Sequence, residues 1–157
     1  MNIDFKKILK VGLFIAIPLL IGGLSALITM GNMQLFDSIN KPPLAPPKWL
    51  FPVAWTILYI MMGIASYFLY KADSEEGREA LVLYGIQLFF NFWWSIIFFN
   101  LKAYWFAAIW LFTMWIIILI LLIKSKKIDE RSFWLLLPYF LWTTFAFYLN
   151  VGIAILN

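Results

Sequence analysis

Neither cysteine nor histidine occurs anywhere in the 157 residues. The missing thiols exclude disulfides and thiol redox chemistry. Without imidazole or thiolate, zinc, haem-iron and copper sites would have to rely on weak donors such as Met and Tyr, so no metal site is expected. Charge is scarce as well. Asp, Glu, Lys and Arg make up 13% of the chain, and all of them avoid five blocks, residues 11–36, 49–70, 80–101, 103–123 and 132–157. The blocks therefore lack the acids and bases of conventional proton-transfer catalysis, and the buried ionisable groups that ion-driven carriers keep on their transport path.

What remains is length and hydrocarbon. A helix rises about 1.5 Å per residue, so each block can cross the roughly 30 Å apolar core of a bilayer. The pattern predicts an all-α fold, an integral membrane bundle of five transmembrane helices forming a single domain over 1–157. The spans are expected at about 8–30, 49–70, 80–101, 103–124 and 132–156, with a proline-rich external loop at 31–48. The apolar run from Val11 to Ile28 is too long for the core of a signal peptide, so the first span is expected to be retained.

Basic residues are distributed unevenly about these spans. Lys6, Lys7, Lys10, Lys71, Arg78, Lys124, Lys126, Lys127 and Arg131 fall on one side, and Lys41, Lys48 and Lys102 on the other. Cytoplasmic loops accumulate Lys and Arg, which predicts a cytoplasmic N-terminus and an external C-terminus. The net charge of +4 is thereby explained by the flanks of lipid spans. The expected partner is the bilayer; no nucleic acid is expected, because the cations are not clustered on a reading face.

Aromatic residues make up 20% of the chain, with 9 Trp, 7 Tyr and 16 Phe. Trp49, Trp105 and Trp134 lie near span starts, where an indole anchors at headgroup level. Trp55, Trp94, Trp110, Trp115 and Trp142 lie deeper, and an indole N–H in hydrocarbon needs a partner or a wet cavity. Helical spacing groups the deep residues into stripes. Trp55, Tyr59, Met62 and Ser66 form one, and Tyr84, Gln87, Asn91 and Trp94 a second. Pro138, Trp142, Phe145 and Leu149 form a third, with Ala146 and Asn150 adjacent. Amides and hydroxyls on such stripes serve either as hydrogen-bond links between helices or, in combination, as the polar groups of an apolar ligand pocket. Two amides and several indoles at matching depths favour the pocket.

Small residues at Gly12-x-x-x-Ala16, at Gly22-x-x-x-Ala26 and at Gly63 with Ser66 allow close helix crossings, within the bundle or between protomers. Pro18 and Pro138 each remove a hydrogen bond inside a span. Five of the seven prolines, Pro42, Pro43, Pro46, Pro47 and Pro52, lie in or just after the first loop. They favour a stiff, extended segment suited to covering the mouth of the bundle.

These residues resemble a known family, the translocator proteins, also called tryptophan-rich sensory proteins or peripheral-type benzodiazepine receptors. Lys41-Pro42, Pro46-Pro47 and Trp49 resemble its proline-rich loop. Trp55, Leu58-Tyr59, Met62-Gly63 and Ser66-Tyr67 match its W-x-x-L-Y-x-x-M-G-x-x-S-Y helix. Gln87-Leu88, Asn91 and Trp94 match Q-L-x-x-N-x-x-W, and Pro138-Tyr139, Trp142, Phe145-Ala146 and Leu149-Asn150 match P-Y-x-x-W-x-x-F-A-x-x-L-N.

The resemblance, which is to bacterial members, implies a cell-membrane protein, often a homodimer, with a pocket beneath the first loop for porphyrins and for benzodiazepine- or isoquinoline-carboxamide-type ligands. It places Trp55, Tyr59, Gln87, Asn91, Trp94, Trp142, Phe145, Ala146 and Leu149 at the ligand, and Lys41, Lys48 and Trp49 at its rim. Trp55 and Trp142 resemble the family's paired pocket tryptophans, implicated in light- and oxygen-dependent porphyrin breakdown. No resident cofactor is implied; porphyrin is ligand or substrate. Leu44 stands where the family usually has Trp, and Ala54 intervenes in its usual Pro-Val-Trp. After Tyr148 there is no Lys or Arg, so the family's C-terminal sterol motif is missing. A passive carrier of a small hydrophobic molecule and a stress-response partner without chemistry are the alternative readings.

Overall fold

The computed structural model describes residues 5–157. Helix α1 runs over Phe5–Thr29 and passes through a single turn, Met30–Asn32, into the short α2, Leu35–Ser38. Helices α3 (Leu50–Lys71), α4 (Glu75–Ser95), α5 (Tyr104–Ile128) and α6 (Glu130–Leu156) follow, and among the described residues there is no strand. α1 and α3 to α6, with the turns that extend α1 and α4, are long and apolar enough to cross a membrane. The molecule is an all-α, multi-pass membrane bundle.

Local chemistry sets several helix ends. Ser74 Oγ accepts the Gly77 N–H at 3.0 Å, with Glu75 and Glu76 in the first turn of α4. Asp129 accepts the Arg131 N–H at 2.9 Å ahead of α6. Lys71, Lys126 and Lys127 stand in last turns. Acids at helix starts and bases at helix ends both oppose the peptide dipoles. Beyond Ser95, α4 widens into a π turn, Ile96–Asn100, in which the Leu101 N–H reaches back to the Ile96 carbonyl at 3.1 Å.

The five long helices close into a ring in the order α1, α3, α6, α5, α4. Their outward faces are apolar and exposed, as at Leu13, Leu20 and Leu27 of α1 or Ile109 and Ile123 of α5, as lipid requires. Gly63 lets α1 and α3 touch backbone to backbone: a Cβ there would lie 2.5 Å from the Ile15 Cα and 2.7 Å from the Phe14 carbonyl oxygen. Gly22 accommodates the Tyr59 ring, whereas Gly12 and Gly23 face open space. Of the two small-residue pairs on α1, the Gly22 pair is used inside the bundle.

The proline-rich segment is tied to α6. The Asn40 N–H donates to Asn157 Oδ1 at 3.0 Å, Asn157 Nδ2 returns to the Asn40 carbonyl at 2.9 Å, and the Tyr148 hydroxyl donates to the Pro43 carbonyl at 2.8 Å. The Pro42 ring packs on Gly152, where an added Cβ would come within 2.6 Å of it.

Candidate functional site

Beneath that segment lies a cavity of about 160 Å³. α3 contributes Phe51, Pro52, Trp55 and Tyr59; α4 contributes Asn91, Trp94 and Ser95, extended by Phe98 and Phe99; α6 contributes Ala146, Leu149, Asn150 and Ile153. Trp55 is held by aromatic neighbours on three sides, stacked on Tyr59 at 5.5 Å and lying 6.1 Å from Tyr139 and 6.5 Å from Trp94. Trp94 donates its N–H to Asn150 Oδ1 at 3.0 Å, and Asn150 Nδ2 in turn donates to the Tyr104 carbonyl at 2.9 Å. Such bonds satisfy the indole inside hydrocarbon and fix its plane.

The cavity floor is a directed chain of hydrogen bonds. Tyr59 donates to Asn91 Oδ1 at 2.7 Å, Asn91 Nδ2 donates to the Tyr139 hydroxyl at 3.1 Å, and Tyr139 donates to Gln87 Oε1 at 2.7 Å. Four buried polar side chains from three helices thereby hold one another. Asn91 is therefore both a bundle link and part of the cavity wall.

A fourth wall comes from α1. Gly22, Ser25, Ala26 and Thr29 line the cavity, and the Ser25 hydroxyl bonds that of Ser95 across to α4. The stripes drawn from the sequence omit this wall. Its signal is present, since small and hydroxyl residues recur at i, i+3, i+4 and i+7 in a span otherwise filled with bulky aliphatics.

The TspO/MBR family profile matches residues 14–156. The chain belongs to the TspO/MBR family. A tryptophan-rich protein TspO of Chlorobaculum tepidum is 34% identical over 97% of this chain and 98% of its own length. A tryptophan-rich sensory protein of Cereibacter sphaeroides is 35% identical over 79% of this chain and 77% of its own. The Bos taurus translocator protein is 32% identical over 87% and 83%.

In this TspO/MBR bundle the expected site residues divide. Trp55, Tyr59, Asn91, Trp94, Ala146, Leu149 and Lys48 line one cavity. Gln87 lies one turn deeper than Asn91, fully buried and bonded to Tyr139. Trp142 and Phe145 instead line a separate, open groove between α3 and α6, with Ala54, Ile57, Leu58, Met61, Pro138 and Leu141. Trp142 neighbours the main cavity at Phe51, whose ring is 6.1 Å away. Lys41 Nζ is occupied by the Phe36 carbonyl at 2.5 Å and sits 4.9 Å over the Phe36 ring. Trp49 is exposed and lies off the cavity. Lys48 pairs with Asp37 at 2.6 Å, but both side chains are well exposed, and such a pair opens at little cost.

Proposed function

We propose that this protein is a membrane receptor for porphyrin-like tetrapyrroles, which it binds in the cavity beneath the proline-rich segment, and that isoquinoline-carboxamide- and benzodiazepine-type ligands compete for the same place. The observation that carries the reading is the pairing of an aromatic wall, Trp55, Tyr59 and Trp94, with one exchangeable cation, Lys48, at the rim. A porphyrin offers the complement, with flat apolar faces for indoles and carboxylate edges for an ammonium group.

Size bounds the mechanism. Pockets for drug-sized ligands run to about 300–1,000 Å³, against about 160 Å³ here. Binding a tetrapyrrole must therefore widen the cavity.

Light- and oxygen-dependent breakdown of the bound porphyrin is the chemical part of the proposal. Molecular oxygen is its oxidant, and Trp55, the electron-rich indole against the ligand, gives one electron to the photoexcited porphyrin or to its oxygen products and is left as an indolyl radical. The same reading places the N-terminus in the cytoplasm and the proline-rich segment outside. It includes a homodimer, for which Gly12 on the outward face of α1 leaves open space.

The test is a titration of purified protein with a dicarboxylic porphyrin, followed by tryptophan quenching and by the porphyrin absorbance band. Saturable binding that an isoquinoline carboxamide displaces is expected. Quenching that rises linearly, with no displacement, would reject the receptor.

A further inference from the structure

Among the residues that line the cavity only three are exposed: Ala26 of α1, Pro52 of α3 and Lys48 just before α3. Every lining residue from α4 and α6 is buried or half-buried. The cavity therefore opens on one side, between α1 and α3.

The shape of this helix pair explains the opening. α1 and α3 meet backbone to backbone at Gly63, against Phe14 and Ile15. Pro18, buried inside α1, follows within a turn and removes a helical hydrogen bond where the chain leaves that contact. Beyond it the Tyr59 ring seats against Gly22, and past that contact the exposed Ala26 and Pro52 leave a gap at the end that carries the proline-rich segment. Ala26 lies three residues before the end of α1 and Pro52 two after the start of α3. The gap is thus roughly 3–5 Å inside the helix ends, at the boundary between headgroups and hydrocarbon.

The proline-rich segment leaves little room for passage from above. Asn40, Pro42 and Pro43 are each fastened to α6, by Asn157, Gly152 and Tyr148 respectively.

We propose that the ligand exchanges with the cavity sideways from the lipid phase, through the slot bordered by Ala26 and Pro52, while the proline-rich segment acts as a fixed roof. The inference rests on the porphyrin-receptor reading. A flat, apolar ring with carboxylates at one edge settles at the headgroup boundary. From that depth its ring passes between α1 and α3, and its carboxylate meets Lys48 at the outer lip.

The test uses the full chain in liposomes and stopped-flow quenching by a dicarboxylic porphyrin. Ala26→Phe narrows the slot at an exposed position, and Ala26→Leu is a second variant should the first fold poorly. Tyr148→Phe combined with Asn157→Ala loosens the roof. Sideways exchange predicts association slowed at least five-fold in the Ala26 variants, and association within two-fold of the unmodified protein when the roof is loosened. Unchanged association in the Ala26 variants, or a five-fold acceleration on loosening the roof, overturns the proposal. If the unmodified protein shows no saturable binding, the receptor reading fails first and the slot falls with it.

Discussion

The Tyr59 hydroxyl donates to Asn91 Oδ1 at 2.7 Å, so a residue of the cavity wall also ends the polar chain that ties α3, α4 and α6 together. Both polar atoms of Asn91 are engaged by tyrosines. Asn91→Leu is expected to leave those buried hydroxyls short of a partner and to cost about 1–3 kcal/mol of stability. Thermal unfolding in detergent measures the loss, and porphyrin titration of the same variant separates it from any loss of affinity. An unchanged melting temperature would show that the chain carries no structural weight.

The glycines of α1 and α3 should respond very differently to a single methyl group. At Gly63 the added carbon meets backbone, which cannot move aside without separating two helices. Gly63→Ala is expected to destabilise by about 1–3 kcal/mol. At Gly12 nothing lies within 4 Å, and Gly12→Ala should be neutral or gain up to about 1 kcal/mol of helix propensity. Melting curves of the two variants side by side decide the matter, and equal behaviour would reject the tight crossing.

Trp55 and Trp142 are separable by their chemistry with light. Trp→Phe keeps a stacking ring and removes the readily oxidised indole, so each change should weaken binding by only about 0.5–1.5 kcal/mol. Trp55 lines the cavity and Trp142 lies in the outer groove. At matched occupancy, Trp55→Phe is therefore expected to slow light-driven loss of the porphyrin band far more than Trp142→Phe, with dark and anaerobic controls flat. Full-rate loss in the double variant would leave a receptor without chemistry.

Asp129 caps α6 and chelates its own Arg131, with contacts at 3.1 and 2.6 Å. The hydrogen bonds from that guanidinium hold the Asp129 carboxyl below its ordinary range. A depressed carboxylate stabilises the fold wherever the unfolded chain has also ionised, and that stability disappears as pH falls through the folded value. Stability should thus be flat from pH 8 to about 5 in this respect and decline below about 4. Asp129→Ala should remove about 0.5–2 kcal/mol at neutral pH and blunt the acid-side decline. Unfolding measured across that range shows whether it does.

Orientation can be read with cysteine probes because the native chain has none. Ser38→Cys is exposed on the proline-rich side. Ser74 caps α4, so the exposed Glu76 is the better position for the opposite side. An impermeant maleimide on intact cells should label Ser38→Cys and spare Glu76→Cys.

Much of this molecule was legible in its sequence. Five uncharged blocks mark five helices, because a charge in hydrocarbon is costly whatever the fold. The stripe through Trp55 and Tyr59 and the one through Asn91 and Trp94 do converge on one cavity. The third stripe divides. Leu149 borders the cavity, whereas Trp142, seven residues earlier at nearly the same angle around α6, lies against Phe51 and shares the groove beside α3 with Ala54 and Leu58. Gln87, one turn below Asn91, is sealed in by its bond to Tyr139. Periodicity fixes the face a residue presents; how far down the interior is already packed depends on neighbours that periodicity does not report. The α1 wall went unread because glycine, serine and alanine signal close packing as readily as they line a void.

The π turn at Ile96–Asn100 has a consequence for how this family can vary. A turn holding one residue more than its neighbours acts as a phase shifter: it re-aims everything after it by about 100° without lengthening the span. In this chain the shift brings Asn100 against α1, where its amide donates to the Ile28 carbonyl at 3.2 Å and accepts from Asn32 at 2.9 Å. Losing one residue between Ile96 and Phe99 would restore ordinary winding, swing Asn100 away from α1, and change the cavity ceiling at Phe98 while every residue below Ser95 stayed in place. Insertions and deletions at this turn are thus a route by which related bundles could reshape the roof end of the pocket and conserve its floor.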